Sequence, residues 1–522
     1  MYSRDTASHH WILLFLCSLA AVFCSPARAD IRLPSVIGDN MVLQASHAAP
    51  VWGWADPNEE IRVKLSWRDT EWTIQADEGG KWMLRVPPPE VGGPYEITLT
   101  GKNTVTIKNI LVGEVWVCSG QSNMEMAVRS AAKAEQEIAA AAYPKIRLFT
   151  VARKVAETPQ DNCAGKWVEC SPETIGAFSA VAYYFGREIH KDLGVPVGLI
   201  HASWGGTVAE AWTSPAMLEQ DLVFEPIVRR CREAVAAYPE AQKEYEQKLA
   251  QWKKDAEKAR AEGIRVSPRP TQPFGPGHVD SPAGLYNGMI APLIPYAICG
   301  AIWYQGESNA GRAYQYRDLF PAMIKSWWRA WPQGNFPFLF VQLANWREVK
   351  AEPGQSDWAE LREAQLMTLG LSDTGMAVAI DIGDANDIHP KNKQDIGKRL
   401  ALWALAKAYG KNVAYSGPIY SHMEQKDNRI FLHFSHVGGG LVVKDGGPLK
   451  GFAVAGADGA FAWADARIEG DTVVVSSEKV AEPVAVRYAW ADNPICNLYN
   501  TAGLPASPFR TDTWPGVTVN NR

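Results

Sequence analysis

The sequence predicts an α/β protein built on a parallel sheet, with sandwich-like β regions at both ends of the chain. Between residues 109 and 415, apolar strand-type segments alternate with amphipathic segments, which is the pattern of a parallel sheet flanked by helices. Before and after that stretch, short segments of alternating polarity are separated by Asp-Pro, Gly-Gly and Pro-rich turns, which is typical of antiparallel β structure.

The first 29 residues have the composition of a signal peptide. The apolar run WILLFLCSLAAVFC (11–24) follows Arg4 and precedes Ala-Arg-Ala at 27–29, which matches an A-x-A cleavage site. The run is shorter than the roughly 20 residues that a membrane span needs. We therefore expect a secreted or periplasmic protein with no membrane segment after cleavage.

The rest of the chain divides into three predicted parts. Residues 30–108 are expected to form an N-terminal β-domain, residues 109–415 the α/β domain, and residues 416–522 a C-terminal β region. A stretch rich in Ala, Glu and Lys, followed by a Pro- and Gly-rich segment, predicts a helical insertion at about 233–280. A solvated insertion is favoured over a lid, because charged helical faces of this kind usually face water.

Composition excludes some functions. The 522 residues carry a formal net charge of -5 and are 47% hydrophobic, so no basic surplus indicates a nucleic-acid partner. The six cysteines that follow the signal peptide show no metal-site spacing. Cys163 and Cys170 are the best candidates for a local disulfide pair, whereas Cys118 and Cys299 fall in apolar runs and are expected to be buried thiols.

The candidate nucleophile is Ser122, in the segment VWVCSGQSNMEM (115–126). A strand ends there and a helix begins, and the carboxyl ends of parallel strands are where such sheets carry their chemistry. A serine at this turn exposes its hydroxyl while nearby backbone N–H groups face an incoming oxyanion. A helix cap is the alternative role, because Ser122 and Asn123 are both good caps.

The candidate base is His389, which follows the apolar strand GMAVAIDIG (375–383). Asp387 lies two residues before it and could accept the Nδ1 hydrogen, so that Nε2 receives the serine proton. Asp384 and Asp381 are rivals for the acid. His201 is the rival base, because it also ends a strand.

Two other loops at strand ends could stabilise an oxyanion. The segment SWGGT (203–207) offers uncrowded backbone N–H groups at Gly205 and Gly206. The segment WYQGESNA (303–310) offers the side-chain amide of Gln305 or of Asn309. Ordinary turn chemistry is the alternative for both loops.

Four ordered motifs resemble those of the sialate O-acetylesterase family of the SGNH-hydrolase superfamily. They are GQSNM (120–124), SWGGT with EAW (203–207 and 210–212), WYQGESN (303–309) and DIHPKNK (387–393), and the closing NLYNTAGLPASPFRTD (497–512) is similar too. The resemblance implies a flavodoxin-like α/β/α hydrolase domain with β accessory regions. It also implies hydrolysis of carbohydrate O-acetyl esters without a cofactor or metal.

The resemblance also assigns roles to residues of these motifs. It implies that Ser122 is the nucleophile, His389 the base, Asp387 its partner and a glycine of SWGGT an oxyanion donor. The superfamily usually spaces acid and base as Asp-x-x-His, but Asn386 stands at the expected acid position. The third-loop amide is open between Gln305 and Asn309.

An acetylated carbohydrate is the predicted substrate. Flat aromatic faces beside the proposed site could stack on sugar rings, although large aromatics more often serve the core. The predicted substrate-contacting residues are Gln121, Trp204, Trp303, Tyr304 and Glu307.

The sugar itself is less defined by the sequence. Acetylated xylan or xyloglucan is slightly favoured over sialic acid, for whose carboxylate Arg129 is a candidate partner by proximity in sequence. A carbohydrate-binding protein with an inactive hydrolase domain is the alternative function, and a lipase is disfavoured because no apolar lid is evident. The sequence leaves the oligomeric state undetermined.

Overall fold

A computed structural model describes residues 30–45 and 47–521, so the predicted signal peptide at 1–29 lies outside the described residues. The N-terminal part consists of strands with short turns, as its alternating pattern predicts. In β3, for example, Ile61, Val63 and Leu65 are buried and the residues between them are exposed. The strands are β1 (Val42–Gln44), β2 (Ala49–Trp54), β3 (Glu60–Leu65), β4 (Glu71–Gln75), β5 (Lys81–Val86), β6 (Gly92–Thr100) and β7 (Thr104–Gly120).

Strand β7 links the N-terminal part to the central sheet. Its first half pairs antiparallel with β6, and its second half, from Glu114 onward, enters a parallel sheet. The predicted domain boundary at 108/109 therefore lies inside one continuous strand. The further strands of the α/β part are β8 (Tyr143–Thr150), β9 (Trp167–Cys170), β10 (Val197–Ser203), β11 (Gly300–Tyr304), β12 (Phe338–Gln342) and β13 (Thr374–Val378).

The central sheet has the order β13-β12-β11-β7-β10-β8-β9. All its neighbours are parallel except β8 and β9, so the predicted parallel sheet is confirmed. The strands β10 to β13 are buried along their whole length, which explains why they read as continuous apolar runs rather than alternating ones.

Helices cover both faces of this sheet. Trp116 in β7 packs against Phe185 on one face, whereas Trp303 in β11 packs against Phe320 and Trp327 on the other. The helices of the described residues are α1 (Ser122–Glu125), α2 (Ala134–Ala139), α3 (Pro172–Ile175), α4 (Ala180–Leu193), α5 (Pro215–Gln220), α6 (Glu225–Ala261), α7 (Ala313–Ala330), α8 (Asp357–Met367) and α9 (Lys393–Lys407).

Short helical turns join several of these elements. One π-helical turn covers Tyr286–Ile290. The 3-10 turns are Val128–Ser130, Ala209–Trp212, Leu222–Phe224, Ala291–Leu293, Glu307–Arg312 and Thr368–Gly370.

Helix α6 occupies the region of the predicted helical insertion but begins at Glu225, earlier than the sequence pattern indicates. Most of its residues are exposed, and Ile227 and Ala256 are the two that are buried. No residue of α6 is among those that line the cleft at Ser122. A solvated insertion fits these observations better than a lid over that cleft.

The C-terminal part is again made of strands, as predicted. It forms antiparallel sheets with the orders β14-β15-β20-β19, β16-β22 and β18-β17-β21-β23. The strands are β14 (Ile419–Lys426), β15 (Arg429–Ser435), β16 (Leu441–Val443), β17 (Phe452–Ala455), β18 (Phe461–Trp463), β19 (Asp465–Glu469), β20 (Thr472–Ser476), β21 (Ala485–Tyr488), β22 (Leu498–Asn500) and β23 (Phe509–Arg510).

The predicted disulfide is wrong: Cys163 and Cys170 are both free and buried. Strand β9 holds Cys170 so that its thiol approaches the carbonyl oxygen of Ala141 at 3.7 Å, and burial raises its pKa to about 12. Cys118 is buried as expected, whereas Cys299 is only half-buried. Among residues 30–45 and 47–521, no helix combines the length and the apolar character that crossing a bilayer requires.

Candidate functional site

Ser122 lies where β7 ends and α1 begins. Gly120 ends the strand with φ +140°, and a Cβ there would lie 2.2 Å from the carbonyl oxygen of Tyr304 in β11. The N–H of Gln121 donates to that same oxygen at 2.9 Å. This close approach of two backbones requires glycine and turns the chain sharply, so that Ser122 becomes the first residue of α1.

His389 reaches Ser122 from the loop between β13 and α9. Its Nε2 lies 2.8 Å from the Oγ of Ser122, which is hydrogen-bond distance for proton transfer between the two groups. The imidazole is about one-third exposed. Burial lowers the pKa of His389 below 6.5, against the opposing effect of the Asp387 carboxylate.

Asp387 contacts His389 mainly through the backbone. Its Oδ1 accepts the backbone N–H of His389 at 2.8 Å and lies 3.5 Å from Nδ1 of the ring. Its Oδ2 faces the Nζ of Lys391 at 3.1 Å. The hydrogen bond from the His389 N–H is the chief reason why the pKa of Asp387 lies below its ordinary value, and Lys391 adds to it.

The rival acids are engaged elsewhere. Asp381 accepts two hydrogen bonds from Arg399, at 2.6 and 2.8 Å, and one from the hydroxyl of Tyr499 at 2.9 Å. Asp384 is exposed and accepts the backbone N–H of Asn386 at 2.8 Å. Neither carboxylate contacts the imidazole, so Asp387 is the acid nearest to it among the three candidates.

The rival base His201 lies in the wall of the same cleft. It is buried, and its Nε2 is 2.5 Å from the Oγ of Ser203. Burial lowers its pKa to about 4. His201 therefore pairs with a different serine and not with Ser122.

The backbone N–H groups beside Ser122 differ in their availability. The N–H of Gly205 donates to the Oε2 of Glu125 at 2.5 Å. In the described part of the chain, the N–H groups of Ser122 and Gly206 have no acceptor. Gly206 is exposed and has φ +80°, a conformation that favours glycine.

The two side-chain amides predicted for the oxyanion are turned away from Ser122, and this is a correction. Gln305 donates to the carbonyl of Thr207 at 3.2 Å and to Oδ1 of Asn309 at 2.6 Å. Asn309 donates to Glu210 at 2.9 Å. Both side chains are buried, and their hydrogen bonds hold the third loop together instead of lining the cleft.

Four of the five predicted substrate contacts are also corrected. Trp303 and Tyr304 are fully buried in β11. Gln121 is buried, and its Oε1 accepts the N–H groups of Gly306 and Ser308, each at 3.3 Å. The carboxylate of Glu307 binds Asn123 beneath the site. Trp204 alone of the five lines the cleft.

An open cleft of about 800 Å³ adjoins Ser122. Three of its charged side chains were given no role by the sequence patterns: Glu125, Arg153 and Lys391. Of these, Glu125 and Lys391 fall within or beside the quoted motifs. Arg153 forms an ion pair with Glu125 and stacks over Trp204, with 5.3 Å between the guanidinium and the ring centre. The charged lining residues are Glu125, Arg129, Arg153, Asp387 and Lys391.

Among the described residues, Arg129 is the unpaired cation of this cleft, and it is exposed. Its guanidinium has no ion-pair or hydrogen-bond partner in the part of the chain that the structure describes, and its backbone N–H donates to Gly176 at 3.1 Å. Arg153 and Lys391, by contrast, are paired with carboxylates. The cleft therefore carries one cation more than its carboxylates neutralise.

One possible metal-binding group occurs among the described residues. His422, Glu424 and His433 lie on the β14–β15 hairpin, and none of them lines the Ser122 cleft. A second cleft, of about 400 Å³, lies between the loop at 349–355 and the C-terminal part. It contains none of the predicted site residues.

Known proteins that resemble this chain are carbohydrate esterases. The sequence model of a family described as carbohydrate esterase, sialic acid-specific acetylesterase, matches residues 112–255 and 280–406. The sialate O-acetylesterase of Homo sapiens is 30% identical over 554 residues, which cover 95% of each chain. That of Mus musculus is 31% identical over 543 residues, covering 92% of this chain and 94% of the mouse protein.

A solved structure shows the same overall fold. The crystal structure of a carbohydrate acetylesterase from Xanthomonas citri matches with a TM-score of 0.78 and 38% identity, covering 93% of this chain and 100% of the other.

The α/β sheet with its cleft at the strand ends, taken with these matches, defines a carbohydrate O-acetylesterase. Within that class, the chain belongs to the sialic acid-specific acetylesterase family of carbohydrate esterases. The matches confirm the sialate O-acetylesterase family that the four motifs indicate.

Proposed function

We propose that the protein is a serine esterase that removes O-acetyl groups from carbohydrates through an acyl-enzyme, on a flavodoxin-like SGNH-hydrolase domain. The 2.8 Å contact between Ser122 Oγ and His389 Nε2 carries the proposal. It joins two motifs that are 267 residues apart in the chain, and it places a base beside a hydroxyl at the mouth of an open cleft.

The proposed reaction follows from these positions. His389 Nε2 accepts the proton of Ser122 Oγ as the oxygen attacks the acetyl carbonyl. The N–H groups of Ser122 and Gly206 stabilise the oxyanion, because both are free of other acceptors in the described residues. His389 then protonates the departing sugar alcohol, and a water activated by the same imidazole hydrolyses the acetyl-serine.

The test is acetate release by Ser122→Ala. We expect this variant to fold, because the side chain is small and half-buried, and to release acetate from 4-nitrophenyl acetate no faster than a buffer blank. A serine-directed phosphonate should inactivate the unaltered protein. Full activity of Ser122→Ala would refute the mechanism, and an inactive unaltered protein would favour a carbohydrate-binding role instead.

The cleft favours an acidic acetylated sugar over a neutral one. Arg129 is exposed and unpaired in the described residues, so its guanidinium can bind a carboxylate such as that of a sialic acid. This differs from the slight preference for xylan or xyloglucan that the sequence supports. The relatives named sialate O-acetylesterase point the same way.

A substrate panel distinguishes these possibilities. We expect kcat/KM to be higher for acetylated sialic acids than for acetylated xylan, acetylated xyloglucan or acetylated pectin. Arg129→Gln should raise KM for the sialic acids by about tenfold, the loss of roughly 1.4 kcal/mol, and leave KM for xylan unchanged. Equal effects of Arg129→Gln on both substrates would refute the role of Arg129 in selecting an acidic sugar.

A further inference from the structure

Three polar side chains from three of the motifs meet beneath Ser122. The Nδ2 of Asn123 donates to Oε1 of Glu307 at 2.6 Å, and its Oδ1 accepts from Nζ of Lys393 at 2.5 Å. Asn123 is 1% exposed and Lys393 is fully buried. We call these three residues the Asn123 network.

Burying the polar and charged groups of the Asn123 network costs free energy. Burial raises the pKa of Glu307 and lowers that of Lys393 to about 7, so the surroundings disfavour both charges. In the described residues, Oε2 of Glu307 is buried without a hydrogen-bond partner. Apolar side chains of similar volume commonly stabilise a fold as well as buried ions do, so stability alone does not account for the network.

The orientation of the Asn123 amide is determined by its partners. The carbonyl oxygen of Ile388 can only accept a hydrogen bond, so Nδ2 must face it and Oδ1 is left to accept from Lys393. Nδ2 has two acceptors, the Glu307 carboxylate and the carbonyl of Ile388 at 3.0 Å. All three hydrogen bonds are satisfied in one orientation of the amide only.

The bond to Ile388 links the two halves of the reactive pair. Asn123 directly follows Ser122, and Ile388 directly precedes His389. One side chain therefore connects the backbone next to the hydroxyl with the backbone next to the imidazole. Lys393, at the first position of α9, binds the amide oxygen of that side chain, and Glu307, shortly after β11, binds its amide nitrogen.

We propose that the Asn123 network consists of positioning residues that set the distance between Ser122 Oγ and His389 Nε2. The inference rests on the proposed function, because it gives the network a role only if these two groups react. The three residues do not line the cleft and therefore affect binding little. Their loss acts on the chemical step, where a displacement of about 1 Å can cost 10²-fold.

The first test is Asn123→Ala with 4-nitrophenyl acetate. We expect kcat to fall by about 10²-fold and KM to stay within about twofold, because geometry is lost but the cleft is retained. The matched control is Asn500→Ala. Asn500 is also fully buried, and its amide also makes three hydrogen bonds, to Ser416, His436 and Leu504, in the C-terminal part.

The control separates positioning from stability. Asn500→Ala should lower the melting temperature and leave kcat per folded molecule unchanged. If Asn123→Ala keeps the kcat of the unaltered protein, or if both variants lose kcat equally, the positioning role is refuted. If Ser122→Ala is inactive while Asn123→Ala is fully active, the network proposal fails and the proposed function stands.

If Asn123→Ala does not fold, a pair of Glu307 variants tests the positioning role of the Asn123 network. Glu307→Gln keeps an acceptor oxygen for Asn123 at nearly the same size, and we expect its kcat to stay within about threefold. Glu307→Leu keeps the volume but removes the acceptor, and we expect its kcat to fall by about 10²-fold. Equal kcat in the two variants would overturn the proposal.

Discussion

At the residue scale, the contacts on the two sides of the His389 imidazole differ. Nε2 is at hydrogen-bond distance from Ser122, whereas Nδ1 is 3.5 Å from Asp387, which is long for such a bond. Asp387 instead holds the loop through the backbone N–H of His389. The carboxylate thus orients the histidine both through its backbone and, more weakly, through its ring.

This geometry predicts the effect of Asp387→Asn. We expect kcat to fall by about 10²-fold, less than the roughly 10⁴-fold seen where a buried aspartate is fully hydrogen-bonded to the ring. Asp384→Asn is the control and should change kcat little, because Asp384 is exposed and does not contact His389. Steady-state hydrolysis of 4-nitrophenyl acetate measures both, and the opposite ranking would make Asp384 the acid.

The protonation of His389 predicts a pH profile. The imidazole must be neutral to accept the serine proton, so kcat/KM rises as pH passes upward through its pKa. Burial, with help from Lys393 and Lys391, lowers that pKa below 6.5 despite the facing carboxylate of Asp387. We expect the midpoint of the acidic limb to lie below pH 6.5. A midpoint above pH 6.5 would show that Asp387 outweighs burial.

The sequence predicted which residues would form the reactive group, but not which other residues of the same motifs would be buried. The structure places Ser122, His389 and Asp387 together, as the prediction requires. Trp303 and Tyr304 were expected to contact substrate, yet both are buried, because helices cover both faces of the sheet and consecutive residues of a strand point to opposite faces. Position at a strand end does not reveal which polar groups point inward.

At the scale of elements, the long strand β7 ties the nucleophile to the N-terminal part. Its first half pairs with β6 and its second half lies between β10 and β11. The sequence shows a change of pattern near residue 108, because the first half belongs to a partly exposed antiparallel sheet and the second to a buried parallel one. Pattern alone could not show that one strand continues through the change.

The end of β7 predicts the effect of Gly120→Ala. The new Cβ would lie 2.2 Å from the carbonyl oxygen of Tyr304 at φ +140°, so β7 and β11 must separate where Ser122 begins α1. We expect the free energy of unfolding to fall by about 2 kcal/mol or more, together with loss of esterase activity. Urea denaturation, monitored by tryptophan fluorescence, measures the change in the free energy of unfolding.

Gly311→Ala is the matched control for this substitution. Beyond the chain neighbours of Gly311 and the backbone of its own helical turn, a Cβ added there would meet no heavy atom within 4 Å in the described residues, and the backbone has no positive φ. The change in the free energy of unfolding should therefore stay within about 0.5 kcal/mol. A Gly120→Ala variant as stable and active as Gly311→Ala would show that the strand end tolerates the displacement.

At the scale of the whole molecule, the C-terminal part is joined to the α/β part through buried polar contacts. Arg362 in α8 is fully buried and donates to the carbonyl oxygens of Leu343 and Ala344, which follow β12. It also donates to those of Ala491 and Asp492 in the C-terminal part. The same region reaches the loop that carries His389, because Asn345 accepts the N–H of Gly383 at 2.7 Å.

Substitution of Arg362 tests how strongly these parts depend on each other. Arg362→Met keeps most of the volume but removes a donor from four carbonyl oxygens, of which, in the described residues, only those of Ala344 and Asp492 keep another one, from Trp358 and Trp346. We therefore expect it to destabilise the protein by about 3–5 kcal/mol. Arg362→Lys should destabilise it less, since it keeps a charge but not the planar fork. Arg467→Met, at a half-exposed arginine paired with Glu469, is the control and should cost at most about 0.5 kcal/mol. Urea midpoints measure all three, and equal midpoints for Arg362→Met and Arg467→Met would show that the two parts fold independently of this contact.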